Sequence, residues 1–225
     1  MATPIIIFGA GGTCADILDT IEAINAKGEG ARYHCLGFLD DDPTAWGREV
    51  DSVKVLGPLT LVPRFPTATF VNGIGSPRNF LKKPAILSRI GLGLDRFETL
   101  VHPGASVART AKLGRGAVIL PNATLATNAF IGHHVVILSN SVVSHDVRVE
   151  DYACIAGGAC LCGGVVVGRA SYVGAGSVIA ERVRIGEGAL VGMGSVVLGD
   201  VAPNSVVVGN PARFLRKTNG CEGAG

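Results

Sequence analysis

Aromatic residues make up only 5% of this 225-residue chain and charged residues only 17%. The net charge is +2 and Lys and Arg are scattered rather than clustered, so no basic footprint marks nucleic acid as a partner. No apolar run approaches the roughly 20 residues of a membrane span, and no membrane partner is expected. The opening Met1-Ala2-Thr3-Pro4-Ile5-Ile6-Ile7 has no charged n-region and its apolar run ends at once in glycines. It does not read as a signal peptide, and the cytosol is the expected compartment. Six cysteines, at positions 14, 35, 154, 160, 162 and 221, form no C-x-x-C pair and should stay reduced there. Against these absences stand 32 glycines and 48% hydrophobic residues, too apolar for disorder and suited to a coil-rich solenoid.

The solenoid is legible from Val101 to Pro203. Counting in sixes from Val101 puts an aliphatic residue at every first position, through Val107, Leu113 and Ile119 to Val191 and Val197, for seventeen hexads without a slip. The fifth position is always Ala, Ser or Val. A fixed short period means that each repeat buries its apolar side against its neighbours. The large and small residues both point inward from short flat faces joined by tight corners, and three faces close a coil of eighteen residues. A corner forced towards φ > 0 favours Gly, Asn or Asp, and twelve of the seventeen fourth positions carry one of them. Five to six coils with strands about 4.8 Å apart give a parallel-sheeted prism about 27 Å long.

Before residue 100 the periodicity changes, which predicts a separate unit. Ile5-Ile6-Ile7-Phe8 reads as a strand, Gly9-Ala10-Gly11-Gly12 as a turn and Asp16 to Ile24 as an amphipathic helix. Such glycines let a backbone approach a phosphate at the positive end of a helix. Cys14 stands where the dinucleotide fingerprint has its third glycine, and a plain tight turn fits the same spacing. Cys35 to Leu39 is a second strand ending in Asp40-Asp41-Asp42. Those carboxylates lie where a ribose or base sits in a doubly wound sheet, or else in a solvated loop with a helix cap. Thr69 to Gly75 gives a third strand and glycine turn, and Lys82 to Ile90 a helix, so the unit is βαβαβ-like and of Rossmann type.

Few residues on the prism are reactive. His145 occupies the third position of its hexad beside the corner residue Asp146, so its side chain should point outward. An exposed imidazole on a corner is the plain reading; an adjacent carboxylate that fixes the tautomer and raises basicity makes it a candidate base. His133 and His134, with His145, invite the zinc reading of the γ-type carbonic anhydrases. Those sites space their ligands differently and have no use for a nucleotide-like unit, so no metal is expected.

The order of parts, F-G-A-G-G from Phe8 and F-L-D-D from Phe38 followed by the hexads, resembles the hexapeptide-repeat nucleotide-sugar N-acetyltransferases of the sialic acid O-acetyltransferase-like group. These include enzymes for GDP-perosamine and UDP-linked 4-amino sugars. The resemblance implies an α/β Rossmann-like domain over 1–98, a left-handed parallel β-helix over 99–217 that binds acetyl-CoA, and a tail over 218–225. It implies acetyl transfer to the 4-amino group of a nucleotide-linked 4-amino-6-deoxy sugar; a non-catalytic solenoid and an O-acetyltransferase are the alternatives. By position, Gly11, Gly12, Asp40, Gly75 and, more loosely, Arg78 hold the nucleotide and diphosphate. His145 is the general base, Asp146 orients it, and Gly163, one coil later, donates to the oxyanion. Acetyl-CoA lies along the prism edge past Gly164, Ala175 and Ala180, with Arg213 and Lys217 of the closing segment at its phosphates. Cys154, where the family often has a second histidine, is expected in the pocket wall. The family's homotrimer places CoA between adjacent prisms.

Overall fold

The computed structural model describes residues 2–28 and 30–218; Cys221 and all but the first residue of the predicted tail lie outside them. β1 (Thr3–Phe8) lies between β2 (Tyr33–Leu39) and β5 (Thr69–Asn72), parallel to both. Beyond β2 come β4 (Val53–Gly57) and, antiparallel at the edge, the two-residue β3 (Glu49–Val50). α1 (Gly12–Lys27) follows β1, and its buried Cys14, Ile17, Leu18 and Ile21 join Ile5, Ile7 and Val71 in one core. Its observed start lies four residues before the amphipathic pattern, because Gly12 to Ala15 carry no apolar period to announce it. The β3–β4 hairpin, with strands of two and five residues, is likewise too short for its alternation to register. The chain leaves β1 towards β2 and later returns to β5 on the other side, so strand order reverses at β1 and a crevice opens at the carboxyl ends of these strands.

From Leu100 onward the chain is a three-sided left-handed parallel β-helix. Each strand up to Val197 has two residues, the sixth and first of the hexad, and each pairs with the strand eighteen residues away, as Val142 does with Thr124 and Cys160. Crossovers of this hand depart from the usual right-handed rule. The inward residues make a stack of Ile, Leu, Val and Ala from Ala117 to Val207. Four buried fifth-position serines are tolerated because each finds a partner: Ser141, Ser171 and Ser177 donate to carbonyls at 2.7–3.0 Å, and Ser195 accepts from Gly209 N–H at 3.2 Å. Every fourth position from Gly116 to Gly194 has φ between 49° and 71°. His134, Tyr152, Ala170 and Arg182 accept that conformation without glycine's freedom, whereas Gly104, Thr110 and Asp200 in the end coils stand outside it.

The three faces meet different fates. The eight-stranded face, beginning at Leu100, carries Val118, Leu120, Val136, Cys154 and Tyr172 into the core of the N-terminal unit. Phe80 packs on Tyr172 with ring centroids 5.9 Å apart. On the adjoining edge Phe97 meets His134 edge-on at 4.5 Å. With about 1.5–3 kcal/mol for each large apolar side chain buried, this docked face joins the two units firmly. The five-stranded face is charged, its outward strand residues being Lys112, Phe130, Arg148, Val166 and Arg184. The six-stranded face presents Ser106, Thr124, Val142, Cys160, Val178 and Val196 and touches no part of the N-terminal unit's core. Val142 and Val178 are 39% and 40% exposed there, and Leu198 65%.

Candidate active site

The crevice at the end of β1, about 360 Å³, is lined by Gly9 to Cys14, Asp40, Asp41 and Gly73 to Ser76. α1 begins at Gly12 with Gly11 as an N-cap that supplies no side-chain bond, so among the described residues the Gly12 and Thr13 amides have no acceptor and stand at the crevice, a setting that favours an anion. A Cβ added to Gly11 or Gly12 would meet nothing within 4 Å. The missing third glycine is explained by the opposite wall. Cys14 Sγ fills the space beneath the turn, and a Cβ on Gly73 would lie 2.5 Å from it, so Gly73 grants the close approach that position 14 does not. Burial pushes the Cys14 thiol up to about 12, leaving it a neutral packing group. Asp40 ties the strand ends together: Oδ2 accepts from Ala10 N–H at 2.8 Å and Oδ1 from Asp42 N–H at 2.9 Å.

Gly11, Gly12, Asp40 and Gly75 thus converge, but Arg78 does not. At its place the wall is Ser76 and Asn79, whose Oδ1 accepts from Ser76 N–H at 2.7 Å and turns the loop. Ser-Pro-Arg-Asn announces a turn, which was the available signal for both.

The second group of candidates lies on the prism edge between the bare and charged faces. His145 and Asp146 form the corner there, and both side chains are exposed. Asp146 Oδ2 lies 2.9 Å from His145 Nδ1, and its Oδ1 accepts from Asn128 Nδ2 at 3.0 Å. Those bonds, from His145 first and Asn128 next, hold the Asp146 carboxyl below its ordinary value. An ionised carboxylate only accepts, so Nδ1 carries the proton and Nε2 is left as the basic nitrogen. One coil on, a Cβ at Gly163 would lie 2.7 Å from both Nε2 and Cε1; only glycine leaves room for the ring, and Gly163 is buried beneath it. The Gly163 N–H has no acceptor among the described residues. Gly164 N–H donates to the His145 carbonyl at 3.0 Å and so fixes the step from below.

Ala180 shares this edge's bare-face border, while Gly199 stands three coils beyond His145, about 14 Å at the strand spacing. There the edge opens into a groove of about 380 Å³ that includes Leu198, Gly199, Asp200, Arg213 and Phe214.

Two family descriptions match the chain: the PglD N-terminal domain over residues 4–81 and the GMPPB C-terminal domain over residues 98–208. A histidine-to-alanine variant of GDP-perosamine N-acetyltransferase from Caulobacter crescentus, in complex with CoA and GDP-perosamine, superposes with a TM-score of 0.81. Its identity is 25%, over 96% of this chain and 98% of that one. The chain is similar to the hexapeptide-repeat nucleotide-sugar N-acetyltransferases. The acetyltransferase domain of PglB from Neisseria gonorrhoeae, in complex with acetyl coenzyme A, has the same fold at 24% identity, with a TM-score of 0.81 over 96% and 100% of the two chains. WeeI from Acinetobacter baumannii follows at 24%, 0.77, 95% and 100%. No curated protein matches.

The structure sets three residues named through this likeness apart from these groups. Cys154 is not in a wall near His145: it faces outward from the docked face, fully buried against the N-terminal unit, and burial pushes its thiol up to about 11. Ala175 lies on the edge between the docked and bare faces, across the bare face from His145, because the thirty residues separating it from His145 are not a whole number of coils. Lys217 is held within the terminal hairpin, where Nζ donates to Ser205 Oγ at 3.3 Å, and it does not line the groove that takes in Arg213.

Proposed function

We propose that the chain is an acetyl-CoA-dependent N-acetyltransferase acting on the 4-amino group of a nucleotide-linked 4-amino-6-deoxy sugar, that it works in the cytosol, and that its site is completed by a second copy. The observation that carries this reading is the placement of His145. The edge it occupies is the one opposite the docked face, so the chain's own crevice and its own imidazole stand on opposite sides of the prism. The bare apolar face beside that edge fits a neighbour in a symmetric trimer, which would bring a second crevice to His145.

Each residue then has a task. Gly11, Gly12 and the start of α1 receive the diphosphate, with Asp40 holding the turn in place. The small residues Gly163, Ala180 and Gly199 along the far edge leave a track for the pantetheine arm, and Arg213 at the groove meets the CoA phosphates. Nε2 of His145 takes a proton from the amine as its nitrogen bonds to the thioester carbonyl carbon, with Asp146 stabilising the imidazolium. Gly163 N–H donates to the oxyanion, and the proton on Nε2 passes to the departing CoA sulfur.

The test is release of free thiol from acetyl-CoA with a panel of UDP-, GDP- and dTDP-linked 4-amino sugars and their 4-hydroxy counterparts. Turnover with at least one of the amino sugars is expected. Acetyl transfer only to sugars that lack the amine would replace it with O-acetylation, and no transfer at all would overturn it.

A further inference from the structure

The chemistry just described leaves one buried cation unused. Lys83 opens α2 (Lys83–Ile90), is 0% exposed, and its Nζ has no hydrogen-bond partner among the described residues. Burying an unpaired ammonium is costly, and the first turn of a helix is electrostatically the wrong place for a cation. The groups facing it do not help. His134, 2% exposed with its Nδ1 also unpartnered, comes from the prism corner, and Cys154 comes from the docked face. Behind them stand Tyr172 beside Cys154, and His133 and Asp151 beside His134. Burial pushes Lys83 down to about 8; it also pushes His134 down to about 4, with the Lys83 charge as the next cause. The neutral Cys154 thiol and the two neutral rings supply no anion in contact with Nζ.

Gly75 connects this cation to the crevice. A Cβ on Gly75 would lie 3.5 Å from Lys83 Nζ, and Gly75 itself lines the crevice with Gly11 and Gly12. The ammonium thus lies against Gly75, one wall of the crevice that the start of α1 also lines.

We infer that Lys83 is a positioning residue for the substrate diphosphate, a fixed countercharge behind the Gly75 wall whose missing anion arrives with the sugar nucleotide. This rests on reading the crevice as the diphosphate site. At such short range through protein a unit charge is only weakly screened, so the diphosphate is favoured over the uncharged nucleoside. Linkage runs the other way too: a bound diphosphate holds the proton on Lys83, so binding on the alkaline side takes up protons.

Isothermal titration at pH 8.5 in two buffers of different ionisation enthalpy decides it, with UDP, GDP and dTDP as ligands and their nucleosides as uncharged controls. Wild-type protein is expected to take up a fraction of a proton with its preferred diphosphate and none with the nucleoside. Lys83→Met and Lys83→Gln should lose the uptake and bind the diphosphate about tenfold or more weakly, with nucleoside affinity changed less than about twofold. Unchanged diphosphate affinity in a folded variant, or no uptake by the wild type, overturns the inference and leaves the crevice reading intact. Binding of none of the three diphosphates overturns the crevice reading as well. Should neither variant fold, proton uptake by the wild type is sufficient to support or overturn the inference.

Discussion

The N-terminal crevice and the far edge of the prism hold their reactive groups in opposite settings. In the crevice the cation is hidden, with Lys83 fully buried behind Gly75, and the wall offered to a ligand is backbone and small side chains. On the edge the imidazole of His145 stands exposed, steadied by Asp146 and Asn128. The difference follows from the folds. A doubly wound sheet makes a crevice wherever its strand order reverses, so a single chain can enclose a ligand. A prism of two-residue strands has flat faces and sharp edges, so its chemistry stays open until another surface covers it.

That contrast can be broken first at the edge. His145→Asn should lower turnover by about 10²–10⁴-fold while CoA binding and melting temperature hold, as thiol release, titration and calorimetry would show. Lost CoA binding would instead make the ring structural. The next effect is on assembly. Val178→Glu combined with Leu198→Glu places charges on the bare face, and sedimentation should show dissociation with loss of activity. Val166→Glu, on the charged face, should leave both unchanged.

The buried side of the comparison responds to pH. His134 in the folded state sits near about 4, below its ordinary 6.5, so between those values the unfolded chain binds more protons. Stability should therefore fall as pH drops from 6.5 to 4, by up to about 3 kcal/mol, and His134→Asn, which keeps a residue at ease with φ 55°, should flatten that slope in denaturant titrations. The smallest change concerns the crevice floor. Gly73→Ala forces a Cβ against Cys14 Sγ and should destabilise by roughly 1–3 kcal/mol, whereas Gly12→Ala, with open space around it, should stay within about 0.5 kcal/mol.

Much of this was readable from the chain because each coil repeats its own instructions. Val143 and Val147 point inward for the same local reason as their counterparts eighteen residues away, so faces, core and corners follow from spacing alone. The same arithmetic placed Gly163 over His145, and applied to Ala175 it would have put that residue on another edge. What spacing does not encode is which face is covered. Cys154 and Val142 hold the same position in their hexads, yet one is sealed under the N-terminal unit and the other is exposed. Lys83 reads as an ordinary helix-surface cation for that reason: its burial comes from docking between the two units, while the space that Gly73 leaves for Cys14 comes from packing of distant segments within the N-terminal unit.

Mixing two defects within one assembly tests the central claim most directly. One chain carries His145→Asn with an intact crevice; the other carries Gly12→Glu, which sets a carboxylate in the anion site, with an intact edge. Each alone should be inactive. Co-expressed and purified through two tags, the mixed trimer should recover about one third of wild-type turnover, since one of its three interfaces then sets an intact crevice against an intact imidazole. A mixed assembly as inactive as its parents would mean that crevice and base serve each other within one chain, contrary to their placement on opposite sides of the prism.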